Sequence, residues 1–185
     1  MSASASAAAQ QVLFHFGKWP IPQGEVFFTS ALSFAVVNFK PVLPGHVLVC
    51  PRRIVPRFAD LTPAELSDLW SISQRVGNVV ERHFKADSLT FAVQDGPSAG
   101  QTVPHVHVHV IPRRAGDFDK NDEIYDKIEQ VEKDGLGRVP NKDKGKGKGM
   151  DADEDRKPRT LAEMEVEAKQ LRAYFPAEEQ AIKLD

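Results

Sequence analysis

The stretch PHVHVHVIPRR, residues 104–114, constrains the fold of this chain more than any other. Three of the six histidines stand at alternating positions, His105, His107 and His109, with valine in every gap. β-Branched spacers favour extended backbone over helix. Side chains alternate across a strand, so the three imidazoles share one face while Val106, Val108 and Val110 share the other. One face is chemical and the other packs.

The remaining sequence supplies partners for such a strand. In EVFFTSALSFAVVNFKPVLPGHVLVCPRR, strands are expected over 25–29, 33–39 and 46–50, with Pro41, Pro44 and Gly45 providing the turn chemistry. Connections this short imply antiparallel pairing. LTPAELSDLWSISQRVGNVVERHF predicts a helix with Thr62 as N-cap, Pro63 at the first helical position and Glu65 closing a capping box. Its stripe of Leu66, Leu69, Trp70, Ser73, Val76, Val80 and Phe84 recurs at spacings of three and four and faces the sheet. SLTFAVQDG then returns as a strand ending at Asp95-Gly96, and the histidine strand follows PSAGQTVP. The order β-β-β-α-β-β predicts an α+β fold, an antiparallel sheet of about five strands flanked by helices.

At 185 residues and 41% hydrophobic content, without internal repeats, the chain is expected to form one domain over 13–131. Residues 1–12 read as a disordered tail, since their Ser/Ala-rich start lacks the charged beginning and apolar core of a secretory signal. Residues 135–159, GLGRVPNKDKGKGKGMDADEDRKPR, bury too little to offset ordering entropy and read as a disordered insertion. A helix over 160–176 is expected to pack on the domain through Leu161, Met164, Ala168, Leu171 and Phe175. A formal net charge of -2 argues against a dedicated nucleic-acid binder. No apolar run approaches the roughly 18 residues of a membrane span. Cys50 is the only cysteine, so neither an intrachain disulfide nor a cysteine-rich zinc site is available, and the thiol is expected to pack as a small apolar group. A reducing compartment is expected, cytoplasmic with the nucleus open.

Three readings compete for the histidine face. Histidines two apart on a strand can share a zinc ion, but His105 and His109 lie roughly 13 Å apart along a strand, too far to share one easily, so a pair would need His46 or a carboxylate as well. A bare exposed strand is the bland alternative. Nucleophilic catalysis at phosphorus is the third: neutral imidazole is a nucleophile near neutral pH, and its neighbours can donate to a phosphate. The adjoining DGPSAGQTVPH favours it, because Gly96, Gly100, Gln101 and Thr102 offer donors where a phosphate can approach closely. Arg113 and Arg114 suit attraction of a polyphosphate but are more simply read as solvated. Tyr125 in NDEIYDK has an acidic setting that suits a tyrosine kinase.

QDGPSAGQTVPHVHVHVIPRRAGDF resembles the histidine triad family, whose mark is His-φ-His-φ-His-φ-φ with φ apolar, met by residues 105–111. LSFAVVNFKPVLPGHVLVCPRR, DLTPAELSDLW and NDEIYD are similar to its fragile histidine triad branch, the diadenosine triphosphate hydrolases. The resemblance implies a homodimer that cleaves diadenosine triphosphate to AMP and ADP through an adenylyl-histidine. Adenosine 5′-phosphosulfate, adenosine phosphoramidate and a nucleotide-occupied signalling role are its alternatives. It implies His107 as nucleophile, His109 at the α-phosphate and leaving group, and His105 and His46 as support. Gln94, Gln101 and Thr102 would bind phosphate, Gly100 and Val103 complete the loop, and Asn38 hold the ribose. Phe16, Val36 and Leu48 would wall the adenine. Trp19, where a branch member has histidine, would lie near the nucleotide, its indole able to stack on a base. A divalent cation, Mg²⁺ or Mn²⁺, would arrive on the substrate's phosphates, and no structural metal is expected.

Overall fold

The computed structural model describes residues 12–133 and 158–180. Strands β3 (Val26–Thr29), β4 (Ser33–Val37), β5 (Val47–Pro51), β6 (Ser88–Ala92) and β7 (Val108–Arg113) form one sheet in the order β3-β4-β5-β7-β6. Every pairing in it is antiparallel. This is the α+β architecture expected of the chain. The histidine strand β7 occupies an interior position, flanked by β5 and β6.

Helix α1 (Pro63–His83) begins as the sequence dictates: Thr62 Oγ1 accepts from the Glu65 N–H, and the Glu65 carboxylate accepts from the Thr62 N–H. Its buried stripe runs through Leu69, Ile72, Ser73, Val76, Val79 and Val80 and packs over the sheet. Trp70 departs from the expected stripe and is 41% exposed, because position 70 lies a full 100° around the helix from Leu69. Helix α3 (Leu161–Arg172) lies on the same layer through Met164, Ala168 and Leu171, with Phe175 beyond it. Leu161, in its first turn, is exposed rather than buried. A further short helix, α4 (Ala177–Gln180), follows.

Opposite faces of the sheet carry different cores. Val106, Val108 and Val110 pack with Val47, Val49, α1 and α3 on the helix face. The other face is covered by two elements. One is a hairpin of β1 (Val12–Phe16) and β2 (Trp19–Pro22), which sequence patterning missed. Pro20 and Pro22 argue against a strand, and they are tolerated here because the hairpin forms its own two-stranded sheet. The other is helix α2 (Glu123–Lys133), whose Ile124 and Ile128 close on Val42 and Ile111.

Pro158 and Arg159, expected in the insertion, belong to the folded unit. The Arg159 N–H donates to Phe39 O at 3.1 Å and its guanidinium pairs with Glu167 at 2.9 Å. The rest of that expected insertion, and residues 1–11, lie outside the described residues.

Arg172 fixes α3 to the start of β3. Its guanidinium donates to the carbonyls of Gln23, Gly24 and Val26 at 2.9, 2.7 and 2.6 Å. Those acceptors sit in a 3₁₀ turn, Gln23–Glu25, and at the head of β3, and the Gln23 carbonyl also accepts from the Val26 N–H. Hydrogen bonds to a charged donor stabilise more than neutral ones. Arg172→Ala is expected to lower unfolding free energy by about 2 kcal/mol. Urea titration checks this as a lower midpoint at unchanged slope.

Candidate active site

The register of the sheet sets out the floor of the site. Val36 pairs with Leu48, Leu48 with His109, and His109 with Ala92, so these four residues form one row across β4, β5, β7 and β6. Residues directly opposite on antiparallel strands share a face. The row lies on the face away from α1. Phe16, Trp19, Val36, Leu48 and Val103 all belong to the apolar cluster of that face, together with Cys50. Cys50 is fully buried there, as its expected packing role requires.

The three histidines do not all lie on regular strand. β7 begins at Val108, later than the alternating pattern suggests. Continuing the ladder from Val49 and Val108 would set Val106 opposite Pro51, which has no N–H to donate. The chain bends instead, and the Val106 N–H donates to Val55 O at 2.7 Å. Alternation survives the departure. All three imidazoles are at most 1% exposed, and the rings of His107 and His109 meet edge to face at 4.8 Å.

Backbone groups fix the protonation of the imidazoles. The Gly17 N–H donates to His105 Nδ1 at 3.0 Å, so the proton of a neutral His105 sits on Nε2, which donates to Pro51 O at 2.9 Å. Burial pushes the His105 pKa down to about 4 and keeps this ring neutral. His107 Nδ1 lies 2.8 Å from His105 O, an atom that can only accept. Its proton is therefore on Nδ1, and the lone pair of a neutral ring is on Nε2. Phe16 packs edge-on against that ring at 4.9 Å.

A second chain of donors ends at His109. The Val42 N–H donates to His46 Nδ1 at 3.0 Å, which puts the His46 proton on Nε2. His46 Nε2 then donates to His109 Nδ1 at 2.9 Å. A neutral His109 consequently carries its proton on Nε2, at the opposite edge of its ring. Two neighbouring imidazoles thus present opposite chemistry, a lone pair at His107 and an N–H at His109. Asn38 braces this arrangement: its Nδ2 rests against the His46 ring at 3.2 Å, and its Oδ1 accepts from the Lys40 N–H at 3.1 Å.

The glycine-rich loop closes on itself. Gln101 Oε1 accepts from the Gly96 N–H at 2.8 Å, while Nε2 donates to Pro56 O at 3.0 Å. Gln101 thereby ties the loop together from within. Gln94 is different, for its Oε1 is buried with no hydrogen-bond partner. Gly100 is required beside it, having φ of +92° and an α-carbon so near the Gln94 amide that a Cβ would collide. Thr102 is exposed on the outer side of the loop and Val103 is buried against the hairpin. A cleft of about 460 Å³ opens between this loop and α2, with Gln94, Ser98, Gly100 and Glu129 among its walls.

Other expectations resolve differently. Arg113 is buried, not solvated, and its guanidinium is held by Asp117 at 2.7 Å, Asn121 at 3.1 Å and Thr90 at 3.1 Å. Arg114 is exposed and bonds Phe84 O. Tyr125 is 57% exposed on α2. Among the described residues no three His, Cys, Asp or Glu side chains are grouped to hold a metal ion, and no helix is long and apolar enough to cross a membrane. Sequence patterning missed the partners that matter most, Gly17 N–H, Val42 N–H and the carbonyls of Pro51 and His105. Backbone atoms carry no residue-type signal.

Comparison with known proteins agrees with this geometry. The HIT domain family model matches residues 22–116, and the chain belongs to that family. A bis(5′-adenosyl)-triphosphatase of Dictyostelium discoideum is 52% identical over 87% of this chain and 92% of its own length. The bifunctional bis(5′-adenosyl)-triphosphatase/adenylylsulfatase of Arabidopsis thaliana is 51% identical over 88% and 84%. An asymmetrical bis(5′-nucleosyl)-tetraphosphatase of Schizosaccharomyces pombe is 46% identical over 90% and 96%. Among solved structures, the Plasmodium falciparum diadenosine triphosphate hydrolase in complex with cyclomarin A superposes with a TM-score of 0.64 at 28% identity, over 87% of this chain and 82% of that one.

The buried, neutral His105 gives stability a defined pH dependence. An unfolded histidine titrates near 6.5, whereas His105 in the folded chain titrates at about 4. Between those values the unfolded chain binds more protons, so the contribution is fully present above pH 6.5 and is lost as pH falls toward 4. It is on the order of 3 kcal/mol. His105→Asn is expected to flatten this part of the profile, read as unfolding free energy from denaturant titrations across that range.

Proposed function

We propose that this chain is a dinucleoside polyphosphate hydrolase, cleaving diadenosine triphosphate to AMP and ADP through an adenylyl group carried on His107. The observation that supports the reading is the bond from His107 Nδ1 to His105 O, which leaves the lone pair of the neutral ring on Nε2, the nitrogen a nucleophile needs. His107 Nε2 attacks the α-phosphorus, a P–N bond forms, and the bond to the bridging oxygen breaks as ADP leaves with the electron pair. The attached ring keeps its Nδ1 proton and becomes cationic, which makes it a good leaving group for the second step. Water then attacks phosphorus, loses a proton to solvent, and AMP departs as the imidazole returns to neutrality.

The surrounding groups fit the charge that develops. The His109 Nε2–H, its position set by the bond from His46 to His109 Nδ1, donates to a nonbridging or leaving oxygen, strongest where charge builds in the transition state. Gln94 reaches the phosphates from beside Gly100, and the loop at Gly100 to Val103 lines them. Asn38 contacts the ribose, while Phe16, Val36, Leu48 and Trp19 enclose the adenine. The adjoining cleft gives the departing nucleotide room. A divalent cation, Mg²⁺ or Mn²⁺, arrives on the substrate's own phosphates. Adenosine 5′-phosphosulfate is a second substrate by the same chemistry, a reading favoured by the adenylylsulfatase named in the Arabidopsis thaliana relative.

The active form is a homodimer joined along β6. This strand is an edge of the sheet, and an unpaired edge is a template for another chain. Phe91 on it is 39% exposed and lies across Gly77 of α1, while Trp70, one heptad before Gly77, is 41% exposed on the same side of the helix.

His107→Asn is expected to lower AMP and ADP release from diadenosine triphosphate by at least about 10³-fold while the fold is retained. Product chromatography measures it, and unchanged release would sink the nucleophile assignment. Trp70→Glu combined with Phe91→Lys is expected to yield monomers by light scattering after size exclusion. A dimer of unchanged mass would remove β6 from the interface.

A further inference from the structure

The loop that follows Gln94 opens on a carboxylate, Asp95, and this is an unexpected residue to place beside a polyphosphate. Like charges brought close together oppose binding. Asp95 is not left alone, however. Arg57 clasps it with both arms, Nε to Oδ1 at 2.9 Å and Nη2 to Oδ2 at 3.1 Å, and the Phe58 N–H adds a third donor at 2.8 Å. These bonds hold the carboxyl below its ordinary range and therefore charged.

Arg57 lies in a segment that supports the site from the helix face of the sheet. Val55 and Phe58 pack with the core beneath α1 and the triad valines. The same segment receives Val106 N–H at Val55 O and Gln101 Nε2 at Pro56 O. The Asp95 carboxylate is thus drawn toward this segment, while Gln94 before it lines the cleft beside Gly100. The guanidinium also covers Gly96, whose φ is +98° and where a Cβ would stand 3.2 Å from Arg57 Cζ. A side chain there would be strained by that φ and would press the guanidinium back by a few tenths of an ångström.

We propose that Arg57 is a positioning residue for polyanionic substrates: by neutralising and withdrawing Asp95 from behind the phosphate loop, it lets a triphosphate bind where an unpaired carboxylate would repel it. The proposal rests on the hydrolase reading above. Arg57 touches no reacting atom, so its effect scales with the charge of the substrate rather than with the chemistry at phosphorus. A diadenosine triphosphate carries more charge near the loop than adenosine phosphoramidate, whose transferred adenylyl group is the same.

The test is steady-state kinetics of the wild type, Arg57→Ala, Asp95→Asn and the double variant on both substrates, with thermal melts to establish folding. Arg57→Ala is expected to raise KM for diadenosine triphosphate roughly three- to tenfold, with kcat little changed, and to alter KM for adenosine phosphoramidate by less than about twofold. Adding Asp95→Asn to Arg57→Ala is expected to restore most of the triphosphate KM, since no carboxylate then remains to repel it. Arg57→Lys, which keeps the charge without the fork, is expected to fall between wild type and alanine. Equal losses on both substrates, or a double variant no better than Arg57→Ala, would show a merely structural clasp and overturn the proposal. A wild type that turns over neither substrate would overturn the hydrolase reading itself and the proposal with it.

Discussion

The bond from His107 Nδ1 to the carbonyl of His105 governs the rest of the site. A carbonyl oxygen can only accept, so this one contact settles which nitrogen of the central imidazole holds a proton and which keeps the lone pair. For the contact to form, the chain must leave regular strand just before Val108, and the absence of an N–H at Pro51 brings that about. His105 is in turn held between the hairpin and the end of β5, through Gly17 N–H and Pro51 O. A buried, neutral histidine thus serves as the mount for the ring of His107.

The His46 to His109 pair repeats this logic with the opposite outcome. There the first link is a backbone donor, Val42 N–H, and two imidazoles pass its effect outward, so that His109 presents a proton instead of a lone pair. The turn carrying Val42 and His46 is braced by Asn38, and Val42 also belongs to the cluster that seats α2. His107 and His109 are consequently tied to different parts of the fold, the hairpin for one and the α2 side for the other. The two tautomers do not compete for a single anchoring group.

The sheet makes this division possible. Its helix face is a largely apolar layer, Ala35, Val37, Val47, Val49, Val108 and Val110, under α1 and α3, while the other face holds the buried histidines. Those groups are tolerable because the histidines have hydrogen-bond partners within the fold. Gln94, whose Oε1 has none, stands where the cleft opens. The glycine-rich loop, in which Gly96 and Gly100 have positive φ angles, is supported from behind by the segment following β5, where Pro56 O accepts from Gln101 Nε2.

Much of this was written in the sequence. Alternation of His and Val fixed two faces, because side-chain direction on extended backbone depends only on parity. The Thr62–Glu65 capping box fixed the start of α1, because its bonds are local. The spacing of Leu69, Val76 and Val80 turned that helix toward the sheet, although Trp70, counted in the stripe, fell outside it. The hairpin was hidden by its prolines, and the burial of Arg113 by the fold of the segment after β7, which brings Asp117 and Asn121 back onto its guanidinium. Tautomers were beyond sequence altogether, since they are chosen by backbone C=O groups, which every residue has, and N–H groups, which every residue but proline has. Which histidines stand on the face was determined by sequence; which nitrogen of each can react was decided by the tertiary structure, because only folding brings a particular carbonyl or N–H against each ring.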